Sequence, residues 1–340
     1  MTPAYPTTPA SLMTPAFDYR IDWRPVNRLP GEHPAATRGD GGAFRGERLL
    51  LESAQFRRLA IGASLRDPLA RWWVQEMQQR SAIDIVLCLD LSASMRVARG
   101  GGDGAGDGPA GQMSSLRLLG DLVESTERTA RRIGDRVGLV VAAESVDRTF
   151  TVMPGEPPGR LLAMASRLRA GGQGAGKGAS ARGLLDLPRW LPARRSLVLL
   201  ASDFLGPIAF WARVLAPLAS HQVVPLVIET AAAALPEVPR GLQRHVDAET
   251  GEARVLWWRP SLRRRIIAAR LAHQEALDAL FRRRRLRPLR LQPPFDPAQL
   301  TAYFHASARP LAGGSARLPG VTGMTEGSGV TSVTGAGTSR

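Results

Sequence analysis

IDIVLCLDLSAS, residues 83–94, is the most informative segment of this 340-residue chain. Its first seven residues are almost all apolar, which predicts a strand buried on both faces of a sheet. Asp90, Ser92 and Ser94 follow where that strand ends. Open α/β sheets bind ligands at the carboxyl ends of their strands. One carboxylate and two hydroxyls form an oxygen-rich set suited to Mg²⁺, so the segment predicts a magnesium site at a sheet edge.

A second apolar run supplies a partner for this site. Residues 195–201, RSLVLLA, have the same buried character and lead into Ser202-Asp203-Phe204. If the two strands are parallel, Asp90 and Asp203 meet at the same edge of the sheet. Two facing carboxylates repel each other unless a cation lies between them, so the pair favours a metal more strongly than either residue alone. The alternative is a serine-rich helix cap that binds no metal.

At these residues the chain resembles the von Willebrand factor A-type domains, in which a D-x-S-x-S loop such as Asp90-Leu91-Ser92-Ala93-Ser94 begins the metal-ion-dependent adhesion site. More narrowly, it is similar to the bacterial domain of unknown function 58. Further segments resemble that family in the same order along the chain: GDRVGL at 134–139, SDF at 202–204 and DAETGE at 247–252. Residues 52–60 depart from the G-D-D-x-R-x-I-D-W block that often precedes the first strand in the family.

The resemblance implies a ligand set for the ion. Asp90, Ser92, Ser94 and Asp203 match family positions that hold it, the two aspartates partly through water. The family usually adds a Thr from a middle loop, where the corresponding residues 171–183 offer only Ser180. A serine hydroxyl supplies the same oxygen, so Ser180 is included in the predicted set. The ion would keep one open position for an Asp or Glu of a partner protein.

The resemblance also implies a partner. The family is associated with MoxR-type AAA+ ATPases and includes the MxaS protein of methanol-oxidation clusters. We therefore expect a metal-dependent protein-interaction module without enzymatic activity, which acts with a MoxR-like AAA+ ATPase in the maturation or assembly of another enzyme. The most specific form of this expectation is that the client enzyme is methanol dehydrogenase. The residues themselves do not name the client.

The alternation of apolar strands and amphipathic helices predicts an α/β fold with a doubly wound, mostly parallel sheet and helices on both faces, as in a von Willebrand factor A domain. The strands are expected at 83–90, 136–143, 147–153, 196–202 and 222–229, and the helices at 114–133, 158–169, 180–191, 208–219 and 261–285.

The chain is divided by composition into five parts. They are a disordered Pro- and Thr-rich N-terminus at 1–30, an N-terminal extension at 31–80, the A-like domain at 81–257, an Arg-rich helix and C-terminal segment at 258–310, and a disordered tail at 311–340.

Charge supports a rival hypothesis. The chain has 45 basic and 30 acidic residues, a net charge of +15, and much of the surplus lies in Arg263–Arg265 and Arg282–Arg285. Such a stripe is typical of a basic nucleic-acid-binding protein. Aromatic residues scarcely interleave with these arginines, so base stacking has little support. An acidic protein partner or a solvated helix face is favoured over nucleic acid.

Several other site types are disfavoured by spacing. GGQGAGKG at 171–178 lacks the Ser or Thr after Lys177 and the preceding strand that a nucleotide-binding P-loop requires. The Gly/Asp run at 100–108 lacks the ligand spacing of an EF-hand. The five histidines form no recognisable pattern with the single Cys88. A metal-dependent hydrolase built on Asp90 and Asp203 remains a less favoured alternative.

Targeting signals are also lacking in the sequence. The first thirty residues contain six prolines and no apolar core of a secretory signal. The longest weakly charged stretch, residues 214–236, is interrupted by prolines and polar residues, which disfavours a membrane span. We therefore expect a cytoplasmic protein.

Overall fold

The computed structural model describes residues 16–26, 29–52, 58–96, 113–171, 180–229, 240–246 and 252–307. Four predicted features lie outside these ranges: most of the disordered ends, the Gly/Asp run at 100–108, the P-loop-like segment from residue 172 onward, and DAETGE except its last residue. The chain divides into two compact units, Met1–Ala308 and Arg309–Arg340, and the second lies wholly outside the described residues.

The strands and helices are as follows. The strands are β1 Pro30–Leu49, β2 Trp73–Ser81, β3 Asp84–Asp90, β4 Arg136–Ala142, β5 Leu197–Ser202, β6 Gln222–Ile228, β7 Gly241–Val246, β8 Ala253–Trp258 and β9 Leu289–Leu291. The α-helices are α1 Ile61–Arg66, α2 Met113–Ile133, α3 Pro158–Arg169, α4 Ile208–Leu215, α5 Pro260–Arg283 and α6 Pro297–Ser307. Short 3-10 helices lie at Leu50–Glu52, Ala93–Arg96, Arg182–Arg189 and Pro217–Ser220.

A five-stranded sheet in the order β4-β3-β5-β6-β9 forms the centre of the molecule, and its neighbouring strands are all parallel. The predicted α/β fold with a parallel sheet flanked by helices is confirmed. The chain passes from β3 outward to β4 and then returns to the other side of β3 to form β5. The direction of winding therefore reverses between β3 and β5. The strands β1 and β2 form a separate antiparallel pair, as do β7 and β8.

Helices cover both faces of this sheet. All seven residues of β3 are buried. Ile85, Leu87 and Leu89 pack into a core cluster with α2, α3 and α6. Val86 and Cys88 point the other way, into a cluster with α4 and α5. A strand buried on both faces must be apolar at every position, which is why the sequence showed a continuous run.

Three predicted elements differ from those observed. The expected helix at 180–191 is a shorter 3-10 helix at Arg182–Arg189. The expected strand at 147–153 is reduced to an antiparallel bridge between Val152 and Leu139. The carboxylate of Asp147 accepts the N–H of Thr149 at 2.8 Å, so the chain turns there instead of extending. The expected helix at 208–219 ends at Leu215 and continues as a 3-10 helix from Pro217, because proline has no N–H to donate to the carbonyl four residues earlier.

The predicted disorder of residues 1–30 is wrong for residues 16–26. Phe17 and Tyr19 are only 2% and 6% exposed and belong to the core cluster that the sheet forms with α2, α3 and α6. Phe17 stacks with Phe304 of α6 at a ring-centroid distance of 6.4 Å, and its N–H donates to the Thr129 hydroxyl at 3.0 Å. The aromatic residues of this segment stand alone among prolines and show no periodicity, so its composition did not indicate that they are buried.

Buried carboxylates anchor the amino-terminal edge of the sheet. Asp84 accepts hydrogen bonds from Arg136 at 2.6 Å and from Arg194 at 2.5 Å. Asp135 accepts the N–H of Ile83 at 2.8 Å and lies 2.6 Å from His33 Nε2, and it also accepts the hydroxyl of Tyr19. The aspartate and arginine of the GDRVGL segment therefore stabilise the fold at the edge opposite Asp90.

The burial of Phe17 generates a test of the corrected boundary. We expect Phe17→Ala to lower the free energy of unfolding by about 3 kcal/mol, because it removes a large side chain from the core. Val26→Ala is the matched control, since Val26 is 75% exposed and its truncation changes stability by less than about 0.5 kcal/mol. Urea denaturation of the full chain measures both. Equal stability of the two variants would show that residues 16–26 do not contribute to the core.

Candidate functional site

The predicted site lies at the carboxyl-terminal edge of the sheet, where β3 and β5 end side by side. Leu89 of β3 pairs with Ala201 of β5, which places Asp90 beside Ser202. Asp203 follows immediately after β5. The winding of the sheet reverses between these two strands, and open parallel sheets bind ligands at that point.

The Asp90 carboxylate is buried and held from two sides. Its Oδ1 accepts the N–H of Ser92 at 2.8 Å, and its Oδ2 accepts the hydroxyl of Ser202 at 2.6 Å. Burial and the nearby charge of Asp203 raise the pKa of Asp90 to about 6, although these hydrogen bonds oppose the shift. The position of Asp90 is therefore fixed, and no basic side chain among the described residues neutralises its negative charge.

The predicted serines connect the two carboxylates. Ser92 and Ser94 are buried in the first turn after β3, with their hydroxyl oxygens 3.2 Å apart. Burial raises the pKa of Asp203, and the Ser94 hydroxyl and the N–H of Leu205 oppose that rise. Asp90, Ser92, Ser94 and Asp203 are thus brought together as the sequence predicted.

A strained turn orients Asp203. Phe204 has a φ of 53°, in the left-handed region that disfavours residues with a side chain. Its fully buried ring packs against Trp211 at 4.4 Å and Phe281 at 5.4 Å between centroids, and this packing holds the unusual backbone. The N–H of Phe204 donates to the Ser202 hydroxyl at 3.1 Å.

Two residues that sequence reasoning did not assign to the site support it. Ser202 donates to Asp90 and accepts from Phe204, so it joins the ends of β3 and β5. The Nε2–H of His273, on α5, donates to the carbonyl of Phe204 at 2.9 Å, and the charge of His273 lowers the pKa of Asp203. The SDF segment contained the signal for Ser202, whereas no local pattern indicated His273.

The residues present fit a hard divalent cation. Asp203 Oδ2 is a buried oxygen with no hydrogen-bond partner among the described residues. A buried carboxylate oxygen without a donor is unfavourable unless it binds a cation. Two carboxylates and two hydroxyls match the oxygen ligands that Mg²⁺ prefers. Among the described residues, no group of three or more His, Cys, Asp or Glu side chains that could hold a metal ion occurs.

Ser180 is placed differently from the other predicted ligands. Its hydroxyl donates to Glu144 Oε2 at 2.6 Å, and this bond lowers the pKa of Glu144. Glu144 lies just beyond the end of β4 and is also 3.8 Å from Arg182. Within the described chain, no hydrogen bond joins Ser180 to Asp90 or Asp203. No sequence pattern indicated that the exposed Glu144 would accept the hydroxyl of Ser180, the predicted fifth ligand.

The buried charge of Asp90 predicts a pH dependence of stability without metal. The pKa of Asp90 rises from 3.8 to about 6 on folding, so in that interval the folded state holds more protons and loses stability as the pH increases. Asp90→Asn removes the charge and should stabilise the metal-free protein at neutral pH by about 2 kcal/mol, with the difference vanishing in acid. Urea denaturation in a chelator over this pH range measures it.

A matched carboxylate provides the control. Asp186 is half exposed and 3.4 Å from Arg189, so Asp186→Asn should give a profile parallel to that of the wild type. Parallel profiles for Asp90→Asn and the wild type would contradict the assignment of a desolvated charge to Asp90.

Comparison with known proteins gives the following matches. None of the curated proteins matches the chain. Similar solved structures include an aerotolerance-related membrane protein from Bacteroides fragilis NCTC 9343 with multiple mutations to serines. It is 14% identical to this chain, with a TM-score of 0.36, and the match covers 66% of this chain and 98% of the other. An uncharacterized membrane spanning protein from Vibrio fischeri is 16% identical with a TM-score of 0.19, over 65% of this chain and 95% of the other.

The prediction of a cytoplasmic protein is wrong, because both of these similar structures are described as membrane proteins. That prediction depended on the lack of a recognisable signal, which does not determine whether a protein associates with a membrane. In the part of the chain that the structure describes, no helix combines the length and the apolar character that crossing a bilayer requires.

A family model described as "Protein of unknown function DUF58" matches residues 69–276, more than half of the chain. The match begins before β2 and ends within α5, so it includes the edge where Asp90 and Asp203 meet. This protein belongs to the DUF58 family.

Proposed function

We propose that this protein is a metal-dependent interaction module without enzymatic activity, in which a bound Mg²⁺ ion holds a carboxylate of a partner protein. The observation that carries the proposal is the convergence of two buried carboxylates, Asp90 and Asp203, with an oxygen of Asp203 that has no hydrogen-bond partner among the described residues. A divalent cation between them would remove the repulsion and satisfy that oxygen.

The residues of the site divide into two roles. Asp90, Ser92, Ser94 and Asp203 would hold the ion, in part through water. Ser202 and the N–H of Leu205 orient the two carboxylates through bonds of 2.6 Å and 3.1 Å. Ser94 and Asp203 are 9% and 8% exposed, against 1% for Asp90 and Ser92. A partner carboxylate would therefore approach from the side of Ser94 and Asp203.

The von Willebrand factor A-like assignment is part of this proposal. A parallel sheet flanked by helices and a D-x-S-x-S loop at the carboxyl end of β3 support it. Ser180 would join the ligand set only by exchanging its hydrogen bond with Glu144 for a contact with the ion.

The proposed partner is a MoxR-like AAA+ ATPase, acting with this protein in the maturation or assembly of a client enzyme such as methanol dehydrogenase. The resemblance to the family's motifs supports this partner. The net charge of +15 suits an acidic surface on the ATPase or client, because opposite charge steers association. Both aspartates would stay ionised beside a cation, which suits ligation better than proton transfer.

Magnesium binding can be tested ligand by ligand. We expect Mg²⁺ to raise the thermal midpoint of the wild type, and Asp203→Ala to weaken Mg²⁺ binding by at least about tenfold because it removes a charged ligand. Ser180→Ala should change the affinity by less than about twofold, since the hydroxyl is bonded to Glu144. Calorimetric titration with MgCl₂ measures each affinity. Equal Mg²⁺ responses of the wild type and Asp203→Ala would exclude the proposed ligand set.

Partner binding can be tested with the full chain in lysate of its native host. We expect the wild type and Asp186→Asn to retain an AAA+ ATPase in Mg²⁺ but not in chelator, and Asp90→Ala to retain none in either condition. Asp186 lies in the 3-10 helix at Arg182–Arg189 and is not one of the proposed ligands, so its variant controls for the loss of one negative charge. Mass spectrometry identifies the retained protein. Retention by Asp90→Ala, or by the wild type in chelator, would argue against a metal-mediated contact.

A further inference from the structure

A cavity lies at the amino-terminal edge of the sheet, opposite Asp90. It has a volume of about 410 Å³ and is lined by the start of β6, the end of α5 and the N-terminal segment at Asp22. Pockets for small molecules have volumes of about 300 to 1,000 Å³. The parallel strands separate this cavity from the proposed metal site by the length of the sheet.

The cavity is strongly cationic. Its lining contains four arginines, Arg195 and Arg283–Arg285, against the single carboxylate of Asp22. Arg195 pairs with Asp22 at 3.1 Å, and Arg284 donates to the carbonyl of Ala212 at 2.9 Å. Among the described residues, the guanidinium groups of Arg283 and Arg285 have no hydrogen bond or ion pair. In the described part of the chain, two positive charges are therefore left without a compensating group.

The backbone at Arg285 is unusual. Its φ of 57° lies in the left-handed region, just beyond the end of α5. The N–H of Leu286 donates to the carbonyl of Phe281 at 2.9 Å and the N–H of Arg285 to that of Arg282 at 3.0 Å. This is the Schellman arrangement, in which glycine is the favoured residue at the left-handed position. A long basic side chain stands there instead, and it lines the cavity.

The helix dipole accounts for only part of this cluster. The negative end of α5 favours basic residues in its last turn, which explains Arg282 and Arg283. It does not explain why Arg285, beyond the helix, occupies a position that favours glycine. A functional contact of the Arg285 side chain would account for an arginine at this strained position.

The other walls supply neutral donors and rigidity. His221 Nδ1 accepts the N–H of Ser196 at 3.3 Å, which leaves its Nε2–H to donate. Burial and the neighbouring Arg195 lower the pKa of His221, so the ring is a neutral donor at physiological pH. The N–H of Asp22 donates to the side chain of Gln222 at 3.0 Å and fixes the N-terminal segment as one wall.

We propose that this cavity binds the phosphate or polyphosphate group of a small molecule, with Arg283 and Arg285 as its principal contacts and Arg195 and His221 as further donors. A guanidinium group presents paired N–H donors that match phosphate oxygens, and such charge-assisted bonds are about twice as strong as neutral ones. The proposal goes beyond the metal-dependent function and does not depend on it, because the two sites share no residue.

Inorganic tripolyphosphate is the probe, titrated calorimetrically into the full chain at constant ionic strength. We expect Arg285→Gly to weaken binding by at least about tenfold, since it removes a charge-assisted contact. The same change should leave the thermal midpoint unchanged or raise it, because glycine relieves the left-handed strain. Opposite effects on binding and stability would separate loss of a contact from loss of the fold.

Arg282→Ala is the matched control. Arg282 is exposed in the same turn and is not part of the lining, so its variant should bind tripolyphosphate within about twofold of the wild type. Absence of tripolyphosphate binding, or equal weakening by both substitutions, would overturn the proposal. So would binding of a DNA duplex that both substitutions weaken equally, with no site-specific binding of tripolyphosphate.

Vesicles of phosphatidylcholine with phosphatidic acid, compared with phosphatidylcholine alone, distinguish the source of the phosphate. Sedimentation with the acidic vesicles that requires Arg285 but not Arg282 would support a lipid headgroup. Selective binding of free tripolyphosphate without sedimentation would support a soluble ligand. Either result agrees with the proposal only when the Arg285→Gly variant is the impaired one.

Discussion

Burial of β3 on both faces constrains every polar group at its two ends. At the amino end, Asp84 is neutralised by two arginines, Arg136 and Arg194. At the carboxyl end, Asp90 receives only neutral donors and faces a second carboxylate, Asp203. Both carboxylates are desolvated, but only the first has compensating charges within the described structure. From this asymmetry we infer that Asp84 stabilises the fold, whereas the proposed role of Asp90 is to hold a ligand.

The helix α5 extends from the proposed metal site at one edge of the sheet to the cationic cavity at the opposite edge. His273, midway along it, contacts the turn that orients Asp203, and Phe281 packs against Phe204 of the same turn. Arg283 and Arg285, at its end, line the cationic cavity. A 24-residue helix extends for about 36 Å, so one rigid element reaches both candidate sites. Residues that pack against the proposed metal site and residues that line the cavity therefore lie on the same helix or directly after it.

Sequence patterns could predict only what is local. The apolar run of β3 and the polar residues that follow it fixed the sheet and located Asp90 and its serines. The role of His273 depends on a contact between residues 69 positions apart, which no short pattern encodes. Ser180 was chosen by hydroxyl chemistry, but its orientation depends on Glu144 of another loop. The left-handed backbone of Arg285 is equally invisible in the sequence, because arginine is not a residue that predicts it.

Net charge is a poor guide to function in this chain, because its arginines have different roles. Some neutralise carboxylates inside the fold, as Arg169 does with Asp121 at 2.7 Å. Others cap the ends of helices, where their charge interacts with the dipole. Arg283 and Arg285 have no side-chain partner among the described residues, and both line a cavity of small-molecule size. The basic composition is therefore better understood residue by residue, and the arginines that line the cavity are the ones we propose to contact a compact anion.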